Sequence, residues 1–352
     1  MKRLTIILCS LSLSLTAFLS VSAQSGGSFT ITQSVIAGGG DHSTGGTYTL
    51  DATIGQTTAG ANSTGGNFVL SSGFWASAGT TSTPRRAAFD FDGDGTSDVS
   101  VFRPSDGVWY LLQSTAGFTA VGFGISTDRL APADYDGDGK TDIAVYRSGT
   151  WYLQRSSLGF TAVAFGDPTD IPQPADFDGD GKAELAVFRQ SNGTWYVLNL
   201  VNGQFSALQF GASTDAPVVG DYDGDAKADY AVFRNGTWYL QRSSLGFIGI
   251  AFGDSSDKPV VGDYDGDRKA DLAVFRPSIG TWYLQQSTAG FTGTQFGTAT
   301  DSPAPGDYDG DGKTDIAVFR DGTWYELRST QGFVSVPFGA INDRPIPGAF
   351  VP

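Results

Sequence analysis

The residues in this chain best suited to chemistry are carboxylates on a fixed spacing. A D-x-D-G-D segment begins at Asp90, Asp134, Asp176, Asp221, Asp263 and Asp307. In the second of these, Asp134-Tyr135-Asp136-Gly137-Asp138-Gly139-Lys140-Thr141-Asp142, acids stand at loop positions 1, 3, 5 and 9. A hard cation such as Ca²⁺ takes about six to eight oxygens at roughly 2.3–2.6 Å, and this spacing wraps four carboxylates around one point. The carbonyl of position 7 can add another oxygen. Gly at positions 4 and 6 allows the positive φ angles that such a coil needs. Charge points the same way. The six loops hold 24 of the 37 Asp and Glu, and the other 13 acids face 22 Lys and Arg, so without the loop acids the chain would be +9 rather than −15. The net negative charge therefore sits where mutual repulsion is worst without a cation.

Composition removes whole classes of function. A pI near 4.3 argues against a nucleic-acid or anionic-membrane binder, which needs a basic footprint. One Cys (Cys9) and one His (His42) exclude cysteine nucleophiles, Cys-rich zinc sites and constellations that need several His. Any catalysis would run on carboxylates, Tyr or Lys.

The loops recur at intervals of 44, 42, 45, 42 and 44 residues, and the elements between them repeat as well. In the second repeat Ile143 to Arg147 reads as a strand, Ser148-Gly149 as a two-residue hairpin turn and Thr150 to Gln154 as the partner strand. Phe160 to Phe165 gives a third strand, and Pro174 to Phe177, leading into the next loop, a fourth. β-Branched and aromatic runs between Gly turns, with no helical periodicity, support strands throughout. Four short antiparallel strands every ~43 residues, six times over, describe propeller blades. From Arg to Trp is six residues in repeats one, three and five (Arg103 to Trp109) but four in two, four and six (Arg147 to Trp151), the mark of a duplicated two-blade unit.

The expected fold class is all-β, a propeller of four-stranded blades. The organisation reads as a signal peptide at 1–23, an N-terminal Gly-rich β segment at 24–79, a linker at 80–85 and the repeats with a closing strand at 86–352. Lys2-Arg3, the apolar stretch Leu4 to Val21 and Val21-Ser22-Ala23 carry the leader signal, with an uncleaved anchor as the alternative. Runs at Phe29–Ile36, Thr47–Ile54 and Phe68–Trp75, with Phe74 lying 16 residues before Asp90 as Phe118 does before Asp134, suggest three strands of a seventh blade. The C-terminal Asp343-Arg344-Pro345-Ile346-Pro347-Gly348-Ala349-Phe350 would supply its fourth strand and remove two exposed edges. The alternative is a six-bladed ring behind a separate N-terminal β module.

The loops are not EF-hands, because Val145 occupies position 12 and strands flank the loop. Over about 86–350 the sequence instead resembles FG-GAP and VCBS repeats, related to the calcium-loop blades of integrin α-subunit propellers. The resemblance implies a β-propeller whose loops bind up to six Ca²⁺. By matching position, the implied ligands are Asp90, Asp92, Asp94 and Asp98; Asp134, Asp136, Asp138 and Asp142; and Asp176, Asp178, Asp180 and Glu184. The last three loops give Asp221, Asp223, Asp225 and Asp229; Asp263, Asp265, Asp267 and Asp271; and Asp307, Asp309, Asp311 and Asp315. Ala226 and Arg268 replace Gly at position 6, which costs roughly a kcal/mol where φ is positive and marks those two sites as the weakest. Glu184, one methylene longer than Asp, alters the third site.

Three other residues recur. The Trp-Tyr pairs, Trp151-Tyr152 among them, are expected as aromatic core between blades. An Arg ends the strand after each loop, and an Asp stands six residues before loops two to six and again as Asp343, so an Arg–Asp pair between adjacent blades is expected. No catalytic residue is assigned. The function implied is a non-enzymatic, exported, calcium-stabilised propeller that binds an extracellular protein or glycan as a monomer, with no nucleic acid and no membrane span after leader removal. A propeller lectin holding sugars between blades is the second reading, and a polysaccharide-active enzyme on the same scaffold is the third.

Overall fold

The structure is a computed structural model that describes residues 87–351 and, before them, the backbone of two short hairpins, Asp41–Gly45 with Tyr48–Ala52 and Ser63–Gly65 with Phe68–Leu70. The chain divides into two units at Thr83 and Pro84. Each hairpin of the first unit is its own two-stranded sheet. The run Phe29–Ile36 and the leader 1–23 lie outside the described residues.

The second unit is six four-stranded antiparallel sheets. Blade 2 shows the plan, from innermost to outermost strand: Arg129–Leu130, Ile143–Arg147, Thr150–Arg155 and Gly159–Ala164. Blades 3 to 6 repeat it, beginning at Ile171, Ala216, Lys258 and Ser302. Blade 1 has Val99–Arg103, Val108–Gln113 and Gly117–Gly122 from the start of the repeats. Its innermost strand is Arg344–Pro345, with Arg344 opposite Phe102 and Pro345 opposite Val101.

This corrects the seven-bladed reading: the ends do meet in one blade, but that blade is the first, and the ring has six. The reason lies in the acidic loop. In blades 2 to 6 the loop is the turn between the innermost and second strands of one blade, shown by Ile171 opposite Phe188, Pro172 opposite Val187 and the bridge from Ala175 to Glu184. The segment before a loop therefore belongs to the blade that follows, not to the blade before it. Blade 1 lacks such a segment from its own repeat, and the C-terminal copy supplies it. Pro closes the innermost strand in every blade but the second, where the site is Leu130, an inner edge at which a missing N–H costs nothing.

Second strands are buried on both faces because a blade covers each side, whereas third strands alternate. The six Trp of the Trp-Tyr pairs are 0 % exposed. In blade 2 Trp151 packs edge-on to Tyr146 with centroids 5.3 Å apart and donates its Nε1–H to the Phe165 carbonyl at 3.0 Å. The neighbouring Tyr does not share that burial. Tyr152 is half-buried beneath the Arg147 guanidinium, 4.9 Å from the ring centroid, and all six Arg–Tyr pairs repeat this stack.

The Arg–Asp pairs form, but within a blade rather than between blades. Arg147 grips Asp128 in a fork, Nε to Oδ1 at 2.6 Å and Nη2 to Oδ2 at 2.7 Å. Asp128 sits where the chain crosses over from blade 1, and its Oδ2 also accepts the Ile125 N–H. Each fork therefore clasps a crossover onto the blade it enters. Arg103 makes the same fork to Asp343 at 2.8 and 2.9 Å across a sequence separation of 240, so ring closure uses the clasp of every other blade.

One residue breaks the core pattern. Glu326 is 0 % exposed at a position filled by Leu111, Leu153, Val197, Leu240 and Leu284 in the other blades. Its Oε2 accepts from Arg328 at 2.7 Å, while its buried Oε1 has no partner. Burial raises its pKa. Glu326→Leu is expected to stabilise the fold by about 1–3 kcal/mol, since an apolar replacement of a poorly satisfied buried charge is neutral or favourable. A urea melt of the variant checks this, and an unchanged or lower midpoint contradicts it.

Candidate metal centres

Each loop coils because its position-1 Asp caps the backbone that follows. In blade 2 Asp134 Oδ1 accepts the Gly137 N–H at 2.6 Å and Oδ2 accepts the Gly139 N–H at 2.9 Å. Those two glycines hold φ of 83° and 90°, where an L side chain is strained. Asp138 Oδ1 accepts the Lys140 N–H at 2.9 Å. The coil turns its carboxylates inward, and in at least five loops three of them bring oxygens within 4.8 Å of one another; Asp134, Asp136 and Asp142 are one such set.

The turn between the third and outermost strands completes the site, and sequence reasoning missed it. Ser156, Ser157 and Leu158 dock onto the loop. Asp136 Oδ2 accepts the Ser157 and Leu158 N–H groups at 2.9 and 3.0 Å, and Asp138 Oδ2 accepts the Ser156 and Ser157 hydroxyls. Asp142 accepts the Tyr135 N–H at 2.9 Å and the Ser156 N–H at 2.7 Å. The available signal was the Ser/Thr pair that recurs just before the second Gly turn, as Ser114-Thr115, Ser243-Ser244, Ser287-Thr288 and Ser329-Thr330. Blade 3 lacks it and compensates: Asn199 Nδ2 donates to Asp178 at 2.8 Å and to Glu184 Oε1 at 3.0 Å, while Glu184 Oε2 still takes the Phe177 N–H. The longer acid and the Asn form one exchange.

After these bonds are made, one oxygen remains in each of five loops. Oδ1 of Asp92, Asp136, Asp223, Asp265 and Asp309 is buried with no hydrogen-bond partner. Asp136 is nine-tenths buried as a whole. An anionic oxygen without a donor is costly, and its recurrence at position 3 is the structural feature that fits a cation. The donor set, carboxylate oxygen throughout, suits a hard ion.

The electrostatics agree. Burial pushes Asp142 up to about 7, with repulsion from Asp136 and Asp134 adding and the Ser156 and Tyr135 amides opposing. Asp98 and Asp315 also reach about 7, Glu184 about 7, and Asp229 and Asp271 about 6, each mainly by burial. Against the cost of burial, the Ser156 and Ser157 hydroxyls hold Asp138 below the usual carboxylate range. Loop two therefore joins a readily ionised acid, Asp138, to one that is difficult to charge alone, Asp142.

At position 6 Ala226 and Arg268 adopt φ of 67° and 73° and still donate their N–H to Asp221 and Asp263, at 2.8 and 2.7 Å. The expected strain is present. Arg268→Gly should raise stability by about 0.5–1 kcal/mol, read as a higher thermal midpoint in metal-free buffer, and a lower midpoint is the contrary result.

Around the axis, the innermost segments of all six blades enclose a cavity of about 520 Å³, apolar along Pro132, Pro174, Val218, Val261 and Phe350 and carboxylate-lined at Asp134, Asp176, Asp263 and Asp307. Outside, Phe118, Phe160, Phe205, Phe247, Phe291 and Phe333 lie exposed on the outermost strands. Each meets a Phe of the preceding blade edge-on, as Phe160 does Phe123 with centroids 6.3 Å apart. No helix among the described residues is long and apolar enough to cross a membrane.

Fold and loops together define a six-bladed β-propeller with an acidic loop leading into the second strand of every blade. The family model for the FG-GAP-like repeat matches residues 90–145, 134–187, 176–232 and 263–318, more than half of the chain. This chain belongs to the FG-GAP-like repeat family. No curated protein matches it. Among solved structures it is similar to an Agrocybe aegerita lectin that recognises non-reducing terminal N-acetylglucosamine, at 17% identity and TM-score 0.48 over 76% of this chain and 82% of the lectin. It is also similar to virginiamycin B lyase from Staphylococcus aureus, at 9% identity and TM-score 0.46 over 70% of this chain and 86% of the lyase.

Proposed function

We propose that the six loops bind calcium and that the protein is an exported, non-enzymatic propeller presenting a rigid surface to an extracellular protein or glycan. The observation that supports this most is the buried, unpartnered Oδ1 at position 3 of five loops, because it gives each a reason to hold a cation beyond the mere presence of acids. Asp134, Asp136, Asp138 and Asp142 and their equivalents would hold the ion. Calcium bound there supplies the positive charge that lets all four carboxylates ionise together. The protein's own residues do the rest: the position-1 Asp sets the coil, and the hairpin turn at Ser156 to Leu158 fixes the outer wall. Outside the loops and clasps, Asp167 and Asp254 pair with Arg189 and Arg276 at 2.9 and 2.6 Å in separate blades, which favours scaffold over catalysis.

Calorimetric titration of metal-stripped protein tests the reading. Calcium should bind at about 10⁻⁴–10⁻³ M, the range of extracellular modules, and bind more weakly at pH 5.5 than at pH 7.5, because protons compete at position 9. In metal-free protein the sign of the pH effect on stability follows from the same groups. A carboxyl whose folded pKa is raised to about 6–7 binds more protons folded than unfolded, so stability falls as pH rises from about 4 to 7. Calcium removes that loss. Absence of heat and of any pH effect at millimolar calcium refutes the reading.

The exposed Phe in each inter-blade cleft favours a second reading, a lectin that stacks sugar rings there. It requires several equivalent sites, and a glycan array that stays blank at high avidity excludes it.

A further inference from the structure

We propose that the six loops take up their cations cooperatively, because every loop is hydrogen-bonded to the next in an unbroken ring. The proposal rests on the calcium reading above. The N–H at position 8 of each loop donates to the position-1 carbonyl of the loop before it: Thr141 to Asp90 at 2.5 Å, Ala183 to Asp134 at 2.7 Å, Ala228 to Asp176 at 2.7 Å, Ala270 to Asp221 at 2.6 Å and Thr314 to Asp263 at 2.7 Å. Ser97 to Asp307, at 2.6 Å, closes the cycle from the sixth loop to the first. These bonds are at or below the short end of the N–H···O range, and they leave no break in the circuit.

What they connect gives them consequence. Position 1 is a ligand of one site, and position 8 is bonded directly to position 9, a ligand of the next. Ordering the backbone of one loop thereby fixes a ligand of its neighbour. A second contact follows the same path. The position-7 Lys of each following loop lies over the position-4 Gly of the loop before, so closely that a Cβ on Gly137 would sit 2.9 Å from Lys182 Cε and one on Gly224 would sit 3.0 Å from Lys269 Cε. At the seam between blades 6 and 1 the Lys is replaced by Thr96, and Ser97 takes over the link, its hydroxyl accepting the Asp307 N–H at 2.8 Å and donating to the Ala88 carbonyl at 2.6 Å. The orphaned Oδ1 of Asp136, Asp223 and their equivalents leaves five of the six loops under-satisfied until they are filled. The first ion bears most of the ordering cost, and later ions meet loops already partly fixed. Repulsion between neighbouring ions opposes this, but the carboxylates around each ion and the salt outside screen it.

The test is a calcium titration of the full-length, metal-stripped protein, with bound ions counted by equilibrium dialysis and amide hydrogen exchange recorded alongside. Wild type should give a Hill coefficient above about 1.5. Asp136→Asn should lose one ion and also weaken the remaining sites about five-fold or more, the scale of an ordinary coupling. It should lower protection at the Thr141 and Ala183 amides on either side of loop two. Asp223→Asn repeats the test at a second loop should the first variant fold poorly. A Hill coefficient of one or less, or five remaining sites of unchanged affinity, overturns the coupling while leaving calcium binding intact. A protein that takes up no calcium overturns the calcium reading and the coupling with it.

Discussion

Stripping divalent cations from the purified protein is expected to lower its melting temperature by about 15–30 °C and to open the loops to protease. A site filled at about ten times its dissociation constant contributes roughly 1.4 kcal/mol. Six such sites give about 8 kcal/mol, and a domain of this size moves about 2–4 °C for each kcal/mol. The loss is concentrated because a metal-free loop must either keep a buried, unpartnered Oδ1 at position 3 or come apart. Position 9 can be relieved by protonation, since burial has already raised Asp142 and Asp98 to about 7, but Asp136 Oδ1 has no donor within the fold. Differential scanning calorimetry with calcium and with chelator measures the shift. Equal midpoints and equal protease resistance would remove the physical basis for everything assigned to the loops.

The second large effect is expected at the clasps. Arg147→Met should cost about 3–4 kcal/mol. It leaves the Asp128 carboxylate, whose side chain is fully buried, with only the Ile125 N–H, and an uncompensated buried charge costs about that much. Loss of the stack on Tyr152 adds to it. Arg103→Met removes the same fork at Asp343 but from a different kind of strand. Arg344–Pro345 pairs through two residues and is not joined to its partner strand Val99–Arg103 through an acidic turn, as the innermost strands of the other five blades are. Arg103→Met should therefore match Arg147→Met in a urea melt and differ in limited proteolysis, releasing fragments cut near residue 343 at protease levels that leave Arg147→Met whole. Equal digestion of the two variants would show that the clasp does not hold the ring shut, and a melt unchanged in both would show that the forks are ornamental.

Much of this protein could be read from spacing alone. The carboxylate positions, the strand from Ile143 to Arg147 and the turn at Ser148-Gly149, which adopts φ of 47° and 84°, depend on local chemistry, where a residue's preference and its backbone agree. The burial of the six Trp of the Trp-Tyr pairs and the existence of an Arg–Asp partnership followed from recurrence. Sequence left unresolved which strand belongs to which blade. The two-residue innermost strand carries almost no pattern of its own, and its assignment depends on which neighbour it pairs with across the acidic turn. That pairing alone distinguishes six blades from seven and places the Arg–Asp fork within a blade instead of between two.

The hairpin turns that seal each loop were also invisible as site residues, since Ser156 and Ser157 lie 14 or more residues from the Asp they contact. They look like ordinary turn residues until the third and outermost strands bring them over the loop. The chain by itself therefore determined the repeat, its strands and its acidic turns, because these are properties of neighbours in sequence. Only the tertiary structure decided how the ring closes, which oxygens remain unsatisfied and how one loop is tied to the next. Those depend on hydrogen bonds between backbone groups that every residue carries alike, and the amino-acid sequence does not record which of them will meet.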